Sequence, residues 1–135
     1  MVSFTFGVKE SFLMKYLLFF IIIIEGTQAN AAGKLTITDS GILNIGSSFA
    51  YIAMCEIDGI IESGTLSDLM LDAQGGLEVD SWNRLKSQYQ KSLHEKKQYS
   101  IAHDKWFPFT INKETCQRIA KAAPLLRSMF TRGKQ

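Results

Sequence analysis

The sequence predicts a mainly all-α fold: a small bundle of about four helices with one aromatic-rich loop or short strand segment, closed by one disulfide. Three observations predict it. Apolar residues recur at spacings of three and four through most of 42–130, helix start and stop signals bracket those runs, and the two cysteines fall on two of them. The chain has 135 residues, 46% of them apolar, with 19 of the apolar ones in 1–31 and 43 in 32–135. The second stretch has the bulk of one domain and not of two. This composition excludes wholesale disorder, a collagen-like fibre, a multi-cysteine knot and a polytopic membrane protein.

Residues 1–31 read as an address. Tyr16 to Ile24 is YLLFFIIII, nine apolar residues preceded by Lys15 and followed by Glu25-Gly26. A spanning helix needs about 20, so the run fits the apolar centre of a secretory signal peptide. Ala29-Asn30-Ala31 has the small-x-small form of a cleavage site and leaves Ala32 as the new N-terminus, with 32–135 as the exported domain. The main rival is an uncleaved N-terminal anchor. Met14-Lys15 alone makes a compact start to such a peptide, so 1–13 reads as an over-long start or a loose extension. No cysteine lies near the junction, which argues against a lipid anchor. The expected location is exported: periplasmic in a Gram-negative bacterium, otherwise secreted.

Export changes the reading of Cys55 and Cys116. In an oxidising compartment two cysteines have one possible pairing, and closing a loop of 61 positions contributes about 4 kcal/mol in the chain-entropy model. Neither cysteine has a second at C-x-x-C spacing, which disfavours a thiol oxidoreductase, haem attachment or a thiolate zinc site.

The elements of the mature chain follow in order. Residues 32–41 form a lead-in, where Leu35 and Ile37 alternate over too short a stretch to specify a strand. Ile42, Ile45, Phe49, Ile52 and Cys55 mark one face of a first helix, about 42–57, with Asp39 or Ser40 as its cap and Asp58-Gly59 as its stop. Thr65, answered by Asp68, opens a short second helix through Ala73 that Gly75-Gly76 ends. Asp80-Ser81 opens a third, about 81–97, with Trp82, Leu85, Tyr89 and Leu93 inward and Arg84, Lys86, Lys91, Lys96 and Lys97 outward. The stretch 99–109 is aromatic and is closed by Pro108, so it is expected to be a packed loop or edge strand. Asn112 caps a last helix, about 113–130, with Cys116, Ile119, Ala120, Ala123, Leu126 and Phe130 inward; Pro124 inside it predicts a kink or a break.

Charge is the strongest signal. Residues 32–80 carry one base against eight acids, and 81–135 carry twelve bases against three acids. Either the two halves pack side by side and their fields cancel, or a basic face stands free on the third helix and the C-terminal tail. A free basic face suits an acidic protein or, more weakly, an anionic membrane surface. Nucleic acid is not expected, because no reading motif accompanies the bases.

Catalytic motifs are not visible. His94-Glu95 and His103-Asp104 put the histidines nine apart, whereas a helical metal pair needs four, so no metal site and no cofactor are expected. Gly46-Ser47-Ser48 lies mid-helix without the G-x-S-x-G turn and reads as close packing. Trp106, Phe107 and Phe109 crowd three aromatics into four positions, and an extended segment cannot turn all of them inward. The leading expectation is an exported, non-catalytic domain that binds another exported or envelope protein, as a chaperone-like, inhibitory or secretion and assembly factor. Its candidate contacts are Arg84, Lys86, Lys91, Lys96, Lys97, Trp106, Phe107 and Phe109. The alternative is a small exported hydrolase whose carboxylates converge only in three dimensions.

Overall fold

A computed structural model describes residues 27–29 and 33–134. The expected leader and the Ala31–Ala32 junction lie outside the described residues, apart from Thr27–Ala29. In chain order the elements are β1 (Thr27–Ala29), β2 (Leu35–Ile37), α1 (Asp39–Ile57), α2 (Thr65–Gly76), α3 (Val79–Glu95), β3 (Lys97–Ser100), β4 (Lys105–Pro108) and α4 (Lys113–Lys134). The described chain is mainly helical, as expected, with two antiparallel two-stranded sheets, β1–β2 and β3–β4. No described helix is long and apolar enough to cross a membrane.

α1 differs from its expectation. Instead of one buried face it is buried on all sides from Gly41 to Ala53, Leu43 alone being half-exposed. Small residues explain this. Gly46, Ser47, Ser48, Ala50 and Ala53 interrupt the large apolar ones and let neighbours approach from several directions. At Gly46 the approach is closest: an added Cβ there would lie 2.6 Å from Cγ of Gln88 on α3. The cap of α1 is Thr38, one residue before the expected pair, its Oγ1 accepting the Gly41 N–H at 3.2 Å. The helix stops at Asp58-Gly59 as read, with Gly59 at φ 75°.

One other cap is supplied from a distance. Gly64, preceding α2, offers no side chain; the Glu56 carboxylate accepts N–H groups from Gly64 and Leu66 at 2.9 and 2.8 Å. Thr65 instead donates to the Glu62 carbonyl, so the expected capping box with Asp68 does not form. Ser81 is likewise buried inside α3, where its Oγ accepts the Ile37 N–H at 3.1 Å and ties β2 to that helix. Gly75-Gly76 does not act simply as a stop. Gly76 is the last residue of α2 and touches α4 backbone to backbone: a Cβ on it would fall 2.1 Å from the Phe130 carbonyl oxygen, and one on Gly133 would fall 1.9 Å from the Gly76 oxygen.

α4 starts where Asn112 caps it, Oδ1 accepting the Thr115 N–H at 2.9 Å. It continues unbroken through Pro124, so the expected division into two shorter helices does not occur. Pro124 is exposed, so the carbonyl that loses its partner is on the wet side of the helix. The buried stripe includes Ala122 and Met129 besides the residues expected, and Ala120 is only half-buried.

Cys55 on the last turn of α1 and Cys116 on the first turn of α4 form the expected disulfide, with Cα atoms 5.7 Å apart and both residues fully buried. Around it, α1 packs chiefly on α3, and α2 on α4. Neither α1 nor α2 contains a base, and each lies against a helix from the basic half. Asp39–Arg84 at 2.6 Å spans the first pair and Asp72–Arg127 at 2.8 Å the second. Two acids of the first half are thus paired with bases of the second within helix pairs.

Candidate binding surface

The β3–β4 hairpin rests on α1 through polar groups. Asn44, Ser47 and Ser48 recur at i, i+3 and i+4, which puts three small polar side chains on one side of an otherwise apolar helix. Onto that side comes β3. Asn44 Nδ2 donates to the Tyr99 carbonyl at 2.7 Å, and the Tyr99 N–H donates to Ser47 Oγ at 3.0 Å. Gln98 Nε2 adds bonds to Ser47 and Ser48 at 3.0 and 3.2 Å. α1 thus serves β3 much as a neighbouring strand would. Two buried acceptors in this network, Asn44 Oδ1 and Gln98 Oε1, have no partner among the described residues.

The ladder fixes which way β4 points. Its register pairs Lys97 with Pro108, Gln98 with Phe107, Tyr99 with Trp106 and Ser100 with Lys105, and the Phe109 N–H donates to the Lys96 carbonyl at 2.9 Å. Antiparallel pairs alternate between bonded and non-bonded, so Phe107 and Lys105 turn their backbone groups toward β3, whereas Trp106 and Pro108 turn theirs away. Tyr99 confirms this phase, since its own outward N–H and C=O are the ones that α1 takes. The Trp106 N–H and C=O have no partner among the described residues. Pro108, which has no N–H to satisfy, occupies the other outward position.

All four β4 residues are exposed. Trp106 is 37% and Phe107 44% accessible, on opposite faces of the strand. Trp106 leans on Tyr99 with ring centroids 5.2 Å apart, the close approach that a non-bonded pair allows. Phe107 meets the His103 ring edge-on at 6.1 Å. At the tip the Tyr99 hydroxyl donates to Asp104, which holds a left-handed backbone at φ 49°. That hydrogen bond, with burial and the carboxylate charge adding to it, pushes the Tyr99 phenol above its ordinary range. Phe109 turns inward and packs on Tyr51 at 4.7 Å, so of the three crowded aromatics one goes in and two stay out.

The basic candidates divide. Lys96 and Lys97 are not on the helix face: α3 ends at Glu95, Lys96 is its left-handed cap at φ 57°, and Lys97 is the first residue of β3. Together with Lys105 they place three cations on the hairpin against Asp104. Lys86 sits over the Trp82 ring at 5.3 Å. Arg84 and Lys91 line a separate, shallow groove of about 470 Å³ between α1 and α3, with Asp39, Ile42, Leu43, Asn83 and Ser87. Sequence reasoning missed that groove because it forms only where two helices meet. His94 and His103 are both exposed, and the described residues contain no cluster of three or more potential metal ligands. Ile57, Leu71 and Val79 are exposed as well, each on a different helix, an ordinary surface scatter.

No family model, curated protein or solved structure matches this chain.

Proposed function

We propose that this is an exported, non-catalytic protein that binds another exported or envelope protein, acting as a chaperone-like, inhibitory or assembly factor. In this reading residues 1–31 are a signal peptide cleaved after Ala31, which takes β1 with it, and the helices form a small bundle whose task is to hold the hairpin rigidly. One observation carries it: Trp106 and Phe107 are exposed on a strand whose outer backbone groups meet nothing else in the described chain. Exposed aromatics on a fixed backbone lose little conformational entropy when they dock, and for that reason they recur as anchors of protein interfaces. The hairpin is fixed, through the Asn44–Tyr99 and Ser47–Tyr99 bonds to a helix that the disulfide ties down. The alternative of a small exported hydrolase with a carboxylate-based site has less support, because the groove between α1 and α3 contains one acid, Asp39, already paired with Arg84.

Photo-crosslinking in the producing cell tests the proposal. Benzoylphenylalanine at position 107 should give a discrete protein adduct, and the same group at exposed Lys121 on α4 should not. Absence of any adduct from position 107, together with turnover of an ester, peptide or glycoside by the purified protein, would overturn it.

A further inference from the structure

We infer that the partner is bound as an extended, acidic segment that adds to β4 as a third strand. The inference rests on the hairpin being the contact surface and specifies what that surface reads.

Backbone geometry comes first. β3 has no free edge, because β4 takes one side and Asn44 and Ser47 take the other. β4 has one, presenting the N–H and C=O of Trp106 and the C=O of Pro108. That is enough for a short segment to exchange two bonds with Trp106 and donate a third to Pro108, the pattern of strand addition. The side chains then supply selectivity. Trp106 and Phe107 stand on opposite faces of the strand, so alternate residues of the incoming segment would meet an aromatic on each side. Lys96, Lys97 and Lys105 outnumber Asp104, and that excess favours carboxylates on the incoming segment.

The same groups weigh against two other occupants. A second copy of this chain paired β4 to β4 would bring the two lysine-rich hairpins together, with like charges opposed. A lipid surface would bury the Trp106 N–H and C=O without partners, at a cost that strand pairing avoids.

Selection of short random peptides displayed on phage, against the full disulfide-bonded chain, provides the test. Enriched peptides should carry Asp or Glu alternating with apolar residues, and Trp106→Ala together with Phe107→Ala should abolish their binding. N-methylation of alternate peptide amides should weaken binding about ten-fold in one phase and little in the other, the effect expected from losing one or two backbone bonds. Equal sensitivity in both phases, with binding still lost in the double variant, would overturn strand addition and leave the hairpin as a contact surface. Enriched peptides indifferent to the double variant would remove that reading as well. A selection without enrichment, binding to phosphatidylglycerol vesicles in place of peptides, or dimerisation through β4 would each overturn the inference.

Discussion

β3 and β4 are strands of equal length in one hairpin, yet their surroundings are opposite. Tyr99 and Ser100 of β3 are buried, and the outward backbone groups of Tyr99 end on α1. Every residue of β4 is exposed, and the outward groups of Trp106 end on nothing in the described chain. The difference teaches where stability and recognition are separated in this molecule. Changes on the β3 side should be felt as loss of folding free energy, because they leave buried polar groups unpaired. Changes on the β4 side should be felt mainly in binding.

The largest effect should come from the support beneath β3. Replacing Cys55 and Cys116 together by serine opens a loop of 61 positions and should cost about 4 kcal/mol, read as a shift of the urea midpoint. A shift worth less than about 1 kcal/mol would show that packing of α1 on α3 alone holds the platform. Asn44→Ala comes next. It removes one of the two bonds to the Tyr99 carbonyl, leaving the one from Gln98 Nε2 at 3.0 Å, in a site where Asn44 is 1% exposed, and should cost about 1 kcal/mol. The same melt followed by Trp106 fluorescence, with Trp82 on α3 replaced by Phe, should show the hairpin loosening before the helices; coincident transitions would mean that hairpin and helices unfold as one unit.

This comparison was partly legible in the sequence. Helix number, the disulfide and the crowding at Trp106–Phe109 follow from local signals: spacing, parity of the cysteine count and the alternation of an extended chain. Even the seat of the hairpin left a trace, in polar residues at 44, 47 and 48 of an apolar helix. What was not legible depends on contacts between distant segments. Glu56 capping α2, Ser81 holding β2, and Gly76 lying on Gly133 each place a residue with an obvious local role into a different, nonlocal one. Lys96 is the instructive boundary. Helix propensity carries the chain through it, but Lys96 takes the left-handed cap conformation usually left to glycine, so α3 ends two residues earlier and two lysines move from a helix face to the hairpin.

On the β4 side, Phe107→Ala should change stability by no more than about 0.5 kcal/mol, since the ring is largely in water and touches only His103 among the aromatics. Trp106→Ala should cost somewhat more, about 1 kcal/mol, for its contact with Tyr99. Both variants should keep the helical circular dichroism of the parent and lose the crosslinked partner. A collapse of folding in the Phe107 variant would place β4 in the core after all and erase the contrast between the strands.

The smallest effect is a pH dependence at the tip where the two strands join. Tyr99 has its phenol raised by the bond it donates to Asp104, so the folded value lies above the unfolded one near 10. A raised group contributes stability that is fully present below its unfolded value and is lost as pH climbs through the folded one. The hairpin should therefore be indifferent to pH through the neutral range and fray only in alkali, beyond the range where ordinary tyrosines ionise. Tyrosinate absorbance near 295 nm, compared between the parent and Tyr99→Phe, isolates this group. Tyr89 is raised too, by burial and then by the Glu56 charge, so the parent should show one late-titrating tyrosine more than the variant, and Trp106 fluorescence, read with Trp82 replaced by Phe, should change with it. An early titration would mean that Asp104 does not hold the hydroxyl, and the tip would then owe its shape to the left-handed turn at Asp104 alone.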